Sequence, residues 1–224
     1  MVASLNDGVA CRRCWQAEEN TRLDFDFCEK CDLSLPRLLW QAQARRCGLC
    51  EEHAYVQART CGNYRGALRE NVLQLKMRPV IARQLQQRML ATFGHFSQPE
   101  NLEVILPVPL HLSRQRERSF NQAEVMGRVL ARATGLPMYT TALQRTKATE
   151  RHRVGMDARA RQKSIAGAFA VQSPRLVANH SILLVDDVMT TGTTAHEIAV
   201  TLLAAGAREV LVLALARAVT QFLP

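Results

Sequence analysis

Residues 182–194 place two acids and a hydroxyl-rich turn at the end of an apolar run, Ile-Leu-Leu-Val-Asp-Asp-Val-Met-Thr-Thr-Gly-Thr-Thr. The carboxylates of Asp186 and Asp187 can accept hydrogen bonds from vicinal sugar hydroxyls. The turn from Thr190 to Thr194 can offer hydroxyls and free N–H groups to a phosphate. No Gly-Lys-Ser/Thr sequence follows, which argues against a nucleotide-triphosphate P-loop. The stretch therefore predicts a site for a sugar phosphate.

Two regular elements must hold this turn. The apolar run Ile182–Val185 predicts a buried parallel strand, and the residues from Thr193 onward predict a helix. Ile198, Leu202 and Leu203 recur at helical spacing and are expected on its inner face. Between strand and helix, Gly192 can adopt a positive φ, which lets the backbone approach a ligand closely. Ligands of open α/β sheets bind at such strand-to-helix junctions.

The remaining patterns favour an α/β fold built on a parallel-rich sheet. Helical spacing continues in 121–135, where Gly135 is the expected end of a helix. The expected strands of the sheet are 103–108, 167–171, 181–185 and 209–216. The prediction is a Rossmann-like sheet covered by helices, with Pro107 and Val108 forming a rigid turn beside the 182–185 strand.

All seven cysteines lie between residues 11 and 61, which predicts a Cys-rich module over 1–62 and a separate α/β domain over 63–224. Cys11, Cys14, Cys28 and Cys31 form two Cys-x2-Cys pairs, the ligand pattern of a closed, structural zinc site. The odd number of cysteines and a reducing compartment argue against disulfides.

Further cysteines leave the metal ligation open. A second zinc site is conceivable from Cys47, Cys50 and Cys61 with His53 as the fourth ligand. Alternatively, Cys47 and Cys50 could combine with one of the earlier pairs in a crossed ribbon.

Charge is distributed unevenly along the 224 residues. The formal net charge is +9, with 8 Lys/Arg against 9 Asp/Glu in 1–62, so the remainder carries +10. Seven basic residues against two acids in 144–163 predict a segment that binds anions. No apolar run reaches the ~20 residues that span a bilayer, and the first residues lack an apolar signal segment. We therefore expect a cytoplasmic protein without a membrane partner.

The stretch 182–194 resembles the phosphoribosyl-pyrophosphate (PRPP) signature of the type I phosphoribosyltransferases. The order of the whole chain resembles the ComF family, which includes the GntX-like proteins, with a zinc ribbon before a compact phosphoribosyltransferase domain. The resemblance also covers Tyr64-x-Gly66, Leu75-Lys76, Pro107–His111, Arg118–Gln122 and Arg145–Phe169. The chain departs from the family pattern at Ser119, where glycine is usual, and in 149–164, where the usual Gln and Asn are missing.

The resemblance implies PRPP and Mg²⁺ as ligands, Zn²⁺ as a structural ion, and phosphoribosyl transfer to an undetermined acceptor. It implies a catalytic role for Asp186 and Asp187. PRPP-binding residues would be Val188, Met189, Thr190, Thr191, Gly192, Thr193, Thr194, Pro107, Val108, Arg114 and Arg118. Residues 145–163 would form a flap that closes over PRPP. The family association with natural transformation and DNA utilisation implies single-stranded DNA and a helicase-like protein as partners, and leaves a non-catalytic DNA-processing accessory as the alternative.

Overall fold

The computed structural model describes residues 8–22, 25–36, 46–111, 119–147 and 165–218. Its α-helices are α1 (Arg12–Arg22), α2 (Gly66–Met77), α3 (Arg83–Phe93), α4 (Gln122–Thr134) and α5 (Thr193–Ala204). Its strands are β1 (Phe25–Phe27), β2 (Ser34–Pro36), β3 (Gln57–Thr60), β4 (Val104–Pro107), β5 (Leu143–Arg145), β6 (Phe169–Val171), β7 (Ser181–Met189) and β8 (Glu209–Arg217).

Four strands form the central sheet in the order β3-β8-β7-β4, and all three pairings are parallel. Their carboxyl ends therefore meet at one edge, which carries Thr60, Arg217, Met189 and Pro107. The predicted α/β fold with a parallel sheet is confirmed. The expectation that 167–171 joins this sheet is wrong, because β6 pairs antiparallel with β5 in a separate hairpin. Phe169 is buried, but Ala170 and Val171 are only partly buried, in contrast to the continuously buried runs within the central strands β7 and β8.

Both faces of the sheet are covered, since successive residues of the central strands β7 and β8 pack into two different cores. Ile182 and Leu184 face α5, the β5–β6 pair of strands and two Cys-rich segments, residues 25–36 and 46–56. Leu183 and Val185 face α1, α2, α3 and α4. Continuous burial explains why β7 has an unbroken apolar run and not an alternating pattern. On α5, Ile198 and Leu202 are fully buried, as predicted. Leu203 is 36% exposed, so its predicted place on the inner face is wrong.

The Cys-rich segments dock on the β3 edge of the sheet. Buried Asp32 accepts hydrogen bonds from the backbone N–H and the hydroxyl of Thr60, at 2.8 and 2.6 Å. The backbone N–H of Ala58 donates to the carbonyl of Lys30 at 2.7 Å. Residues 57–60 lie before the expected boundary at residue 62, yet they form a strand of the central sheet.

None of the helices in the described residues has both the length and the apolar composition that a membrane crossing requires.

Candidate functional site

The turn after β7 lies at the carboxyl edge of the sheet, between a buried strand and a helix start. The strand includes Ile182–Val185 as predicted and continues through both acids to Met189. Gly192 has φ +87°, as its sequence position predicted, and α5 begins at Thr193. The carbonyl of Gly192 accepts the N–H of His196 at 2.9 Å, so the preceding N–H groups of the helix start have no acceptor within the helix. The N–H of Thr193 donates to Oγ1 of Thr191, and those that follow it can donate to an anion.

Asp186 and Asp187 are half-buried neighbours at the end of the strand. The backbone N–H of Asp187 donates to Oδ1 of Asp186 at 2.8 Å. Burial, followed by the charge of Asp187, raises the pKa of Asp186 to about 8, against the opposing charges of Lys76 and Arg145. A carboxyl group that its surroundings keep largely protonated near pH 7 is typical of functional positions.

The hydroxyl groups of the turn form a small cluster. Oγ1 of Thr191 lies 2.7 Å from Oγ1 of Thr193, and the N–H of Thr193 donates to Oγ1 of Thr191 at 3.4 Å. Asp186, Val188, Met189, Thr190, Gly192 and Thr194 line a shallow hollow at the turn with Ala195 and Val212. Six of the nine predicted residues of 186–194 thus line one hollow, whereas Asp187, Thr191 and Thr193 are not among its lining residues.

Pro107 and Val108 lie beside this surface. Pro107 pairs with Val185 in parallel register, and the N–H of Val108 donates to the carbonyl of Val185 at 2.9 Å. The amide of Asn121 fixes the turn, because its Nδ2 donates to the carbonyl of Val108 at 3.0 Å while its Oδ1 caps α4 through the N–H of Ala123. A cavity of about 350 Å³ opens against this turn, between Pro107 and the β5–β6 hairpin.

Arg114 and Arg118 lie outside the described residues, as do residues 148–163 of the expected flap. Arg145, the first basic side chain of that segment, is buried beside the cavity, with its guanidinium 5.5 Å from the centre of the Phe169 ring. Ser119, where the resembled pattern has glycine, has φ +61°. The departure therefore falls on a backbone conformation that favours glycine.

Four thiols meet at the sheet edge, and they are not the four of the principal sequence prediction. The sulfur atoms of Cys28, Cys31, Cys47 and Cys50 all lie within 4.8 Å of one another. The Sγ–Sγ distances are 3.6 Å for Cys28–Cys50, 3.5 Å for Cys31–Cys47 and 3.7 Å for Cys47–Cys50. A tetrahedron with Zn–S bonds of about 2.3 Å has edges of roughly 3.8 Å. The thiol cluster fits a zinc ion.

The structure does not bring Cys11 and Cys14 to Cys28 and Cys31, but realises the crossed combination that the sequence left open. Cys11 precedes α1 and Cys14 lies in its first turn, with their Sγ atoms 3.5 Å apart. Cys61 is buried in the core beneath α2. The physical reason is topological: β1 and β2 turn 28–31 back toward the sheet edge, where 47–50 also arrives.

His53 does not join the thiol cluster but packs against the turn. Its Nδ1 lies 2.7 Å from the hydroxyl of buried Tyr55, and its ring stacks on His196 of α5 with centroids 5.5 Å apart. The N–H of Ala54 donates to Nδ1 of His196 at 3.0 Å. Burial and the neighbouring His196 lower the pKa of His53 to about 4. The Cys-rich segments therefore cover one side of the 190–194 turn with the neutral imidazole of His53.

Sequence reasoning assigned no role to two cations at this edge. The Nζ of Lys76 on α2 lies 3.4 Å from Oδ2 of Asp187. Arg217, the last residue of β8, is 3% exposed and contacts Cys31. Lys76 could have been identified, because it belongs to the Leu75-Lys76 segment that carries the family resemblance. For Arg217 the sequence offered only its position at the end of an apolar strand.

Comparison with solved structures finds distant likenesses. A B. subtilis glutamine PRPP amidotransferase is 22% identical with a TM-score of 0.40, covering 61% of this chain and 28% of that chain. An HPRT mutant with glutamic acid at an invariant aspartic acid is 12% identical with a TM-score of 0.35, covering 67% of this chain and 68% of that one. No family model matches the chain.

Curated relatives are closer and span nearly the whole molecule. Competence protein F of Haemophilus influenzae is 31% identical over 202 residues, covering 87% of this chain and 86% of the relative. The DNA utilization protein YhgH of Escherichia coli K12 is 32% identical over 222 residues, covering 97% and 94%. The zinc-fitting thiol cluster, the parallel sheet and these relatives agree with the resemblance of the sequence, and the chain belongs to the ComF family.

Proposed function

We propose that this chain binds PRPP together with Mg²⁺ at the carboxyl edge of the sheet and transfers its phosphoribosyl group in the service of DNA uptake or utilisation. The observation that carries the proposal is the β7–α5 junction. There, Gly192 at positive φ precedes the first residue of a helix, five residues after the second of two acids. The 5′-phosphate of PRPP would accept hydrogen bonds from N–H groups and hydroxyls of 190–194.

The neighbouring residues suit the rest of the substrate. Asp186 and Asp187 would accept hydrogen bonds from the ribose hydroxyls, and the carboxylate of Asp187 would stabilise the positive charge that develops at C1. The turn at Pro107 and Val108, held by Asn121, would receive the pyrophosphate. Asp186 and Asp187 would offer oxygen ligands of the kind that Mg²⁺ prefers, and the ion would supply charge neutralisation for the leaving pyrophosphate. Lys76 would add a fixed positive charge beside Asp187.

The reaction is a displacement at C1 of the ribose. A nitrogen nucleophile forms the new C–N bond, the C1–O bond breaks, and pyrophosphate leaves with the bonding electron pair. The nucleophile gives up a proton to solvent or to a nearby base. Binding of the 5′-phosphate, remote from C1, would hold the ribose in position for this displacement.

Calorimetric titration with PRPP, with and without Mg²⁺, tests the site directly. The zinc-loaded wild type should bind PRPP in a Mg²⁺-dependent way, and the Asp186→Asn/Asp187→Asn variant should lose that binding. Glu70→Gln is the matched control, since it removes an exposed carboxylate of α2 that pairs only with Arg69 in the described structure. Wild-type protein that carries zinc and is folded but does not bind PRPP would refute the proposal.

A second candidate function is a non-catalytic accessory that binds single-stranded DNA or a helicase-like partner. It is favoured by the name DNA utilization protein for the E. coli relative and by the net charge of +10 after residue 62. Such binding would be electrostatic and independent of sequence, so affinity for an oligonucleotide should fall steeply between low and physiological salt. DNA affinity that does not change with salt would count against it.

A further inference from the structure

Arg217 joins the thiol cluster to the carboxyl edge of the sheet. Its side chain is buried, and Nη1 donates to the carbonyl oxygen of Cys31 at 3.1 Å. Nη2 donates to Sγ of the same cysteine at 3.8 Å. The two residues are 186 positions apart in the chain. One planar guanidinium thus holds both the backbone and the sulfur of a single cluster residue.

The backbone of Arg217 is fixed beside the start of the 190–194 turn. Arg217 pairs in parallel register with Met189, the last residue of β7. The N–H of Ala218 donates to the carbonyl of Met189 at 2.9 Å, and the N–H of Arg217 donates to the carbonyl of Gly62 at 2.8 Å. A shift of Arg217 would therefore be transmitted to the residue from which the turn departs.

Tyr55 provides a second route from the guanidinium to the turn. Its hydroxyl interacts with the Arg217 side chain and lies 2.7 Å from Nδ1 of His53. A Cβ added to Gly192 would stand 3.0 Å from that hydroxyl and 2.9 Å from Cε1 of His53. The two rings therefore rest directly against the glycine that shapes the turn.

Charge gives Arg217 a reason to be buried there. Four thiolates around one Zn²⁺ carry a net charge of −2, which is costly to bury without a compensating cation. Hydrogen bonds from outer partners also fix the orientation of metal ligands. The neighbouring Lys30 instead donates to the carbonyls of His53 and Glu51, at 2.8 and 3.1 Å. Arg217 is thus a cation that the structure aims at a cluster sulfur.

We propose that Arg217 is a positioning residue that couples metal binding at Cys28, Cys31, Cys47 and Cys50 to the conformation of the 190–194 turn. Metal binding fixes Cys31, and Cys31 fixes the guanidinium of Arg217. The backbone of Arg217 in turn holds Met189 before the turn, and its guanidinium interacts with Tyr55, which packs on Gly192. Its consequence for PRPP affinity rests on the function proposed above, whereas the coupling itself concerns only the protein.

The test compares full-length Arg217→Met and Arg217→Lys with wild type. Arg208→Met is the matched control, because Arg208 lies just before the opposite end of β8 and pairs with Glu103 at 2.9 Å. Hydrogen exchange is followed by mass spectrometry on peptides that cover 188–196. Cobalt titration monitors the thiolate charge-transfer bands and the affinity of the cluster, and PRPP binding is measured in parallel.

For Arg217→Met we expect exchange in 188–196 to be at least about tenfold faster and cobalt affinity to fall about tenfold or more. Arg217→Lys retains the charge without the planar fork and should be intermediate. Arg208→Met should match wild type in both measurements. Wild type stripped of metal by a chelator should show the same faster exchange, which tests the coupling even if Arg217→Met does not fold.

Unchanged exchange in 188–196 after Arg217→Met or after metal removal would overturn the inference, even if the cobalt bands move. If the wild type fails to bind PRPP, the proposed function fails, and the exchange measurements still decide the coupling.

Discussion

Replacing Gly192 with alanine tests how closely the Cys-rich segments pack against the 190–194 turn. Gly192 has φ +87°, and the new Cβ would stand 2.9 Å from Cε1 of His53, 2.9 Å from Cε of Met189 and 3.0 Å from the Tyr55 hydroxyl. The end of Met189 can move aside. The rings of His53 and Tyr55 cannot move easily, because they are hydrogen-bonded to each other and Tyr55 is fully buried.

The expected cost has two parts. A left-handed conformation costs a non-glycine residue about 1–2 kcal/mol, and an extra carbon in a packed site costs about 1–3 kcal/mol. Gly192→Ala should therefore lower the free energy of unfolding by about 2–5 kcal/mol. Gly135→Ala is the matched control, since Gly135 has φ +76° with nothing within 4 Å of the added carbon. It should lose only the first part.

The assay is urea unfolding of both variants in excess zinc, supported by thermal unfolding, where 1 kcal/mol corresponds to roughly 2–4 °C for a chain of this size. The effect of alanine on the unfolded chain is the same in both variants and cancels in the comparison. The difference between them, about 1–3 kcal/mol, measures the packing of His53 and Tyr55 on the turn. Equal losses in the two variants would refute the reasoning.

Three further predictions concern the metal, the acids and Lys76. Cys47→Ser should abolish zinc binding at the thiol cluster while Cys14→Ser retains it, as measured by bound zinc per chain; equal zinc loss would contradict the assembled ligand set. Asp186→Asn should become more stable than wild type as the pH rises from 4 to 8, because a carboxyl whose folded pKa is raised to about 8 destabilises the native state progressively over that range; melting temperatures that differ by the same amount at both pH values would exclude this. Lys76→Met should weaken Mg²⁺–PRPP binding about tenfold, about 1.4 kcal/mol, whereas Arg78→Met, on the exposed end of the same helix, should not; identical affinities would remove Lys76 from the site.

The strand β7, the 190–194 turn and the helix α5 were predictable because their sequence signals are local. The apolar run, the acids and Gly192 follow one another within 13 residues. The turn at Pro107 was equally readable from its strand and prolines. The segment 167–171 has a strand-like composition, but whether it joins the sheet or a hairpin depends on a partner elsewhere, and the prediction was wrong.

The same limit applies to the metal ligands. Cys-x2-Cys spacing identifies pairs, whereas which two pairs meet is decided by how the chain returns to the sheet edge. Arg217 illustrates the extreme case, because its contact with Cys31 bridges almost the entire sequence. A lone arginine after an apolar strand gives no local sign of such a contact.

The pairing of β3 with β8 has a consequence for the order of events during synthesis. β3 ends at Thr60, but its partner begins at Glu209, so the sheet cannot close until the residues of β8 have left the ribosome. The four cluster cysteines fall within 28–50 and can capture zinc long before that. The nascent chain can thus carry a loaded metal site before β8 is synthesised, and the contact of Arg217 with Cys31 can form only after β8 has joined the sheet.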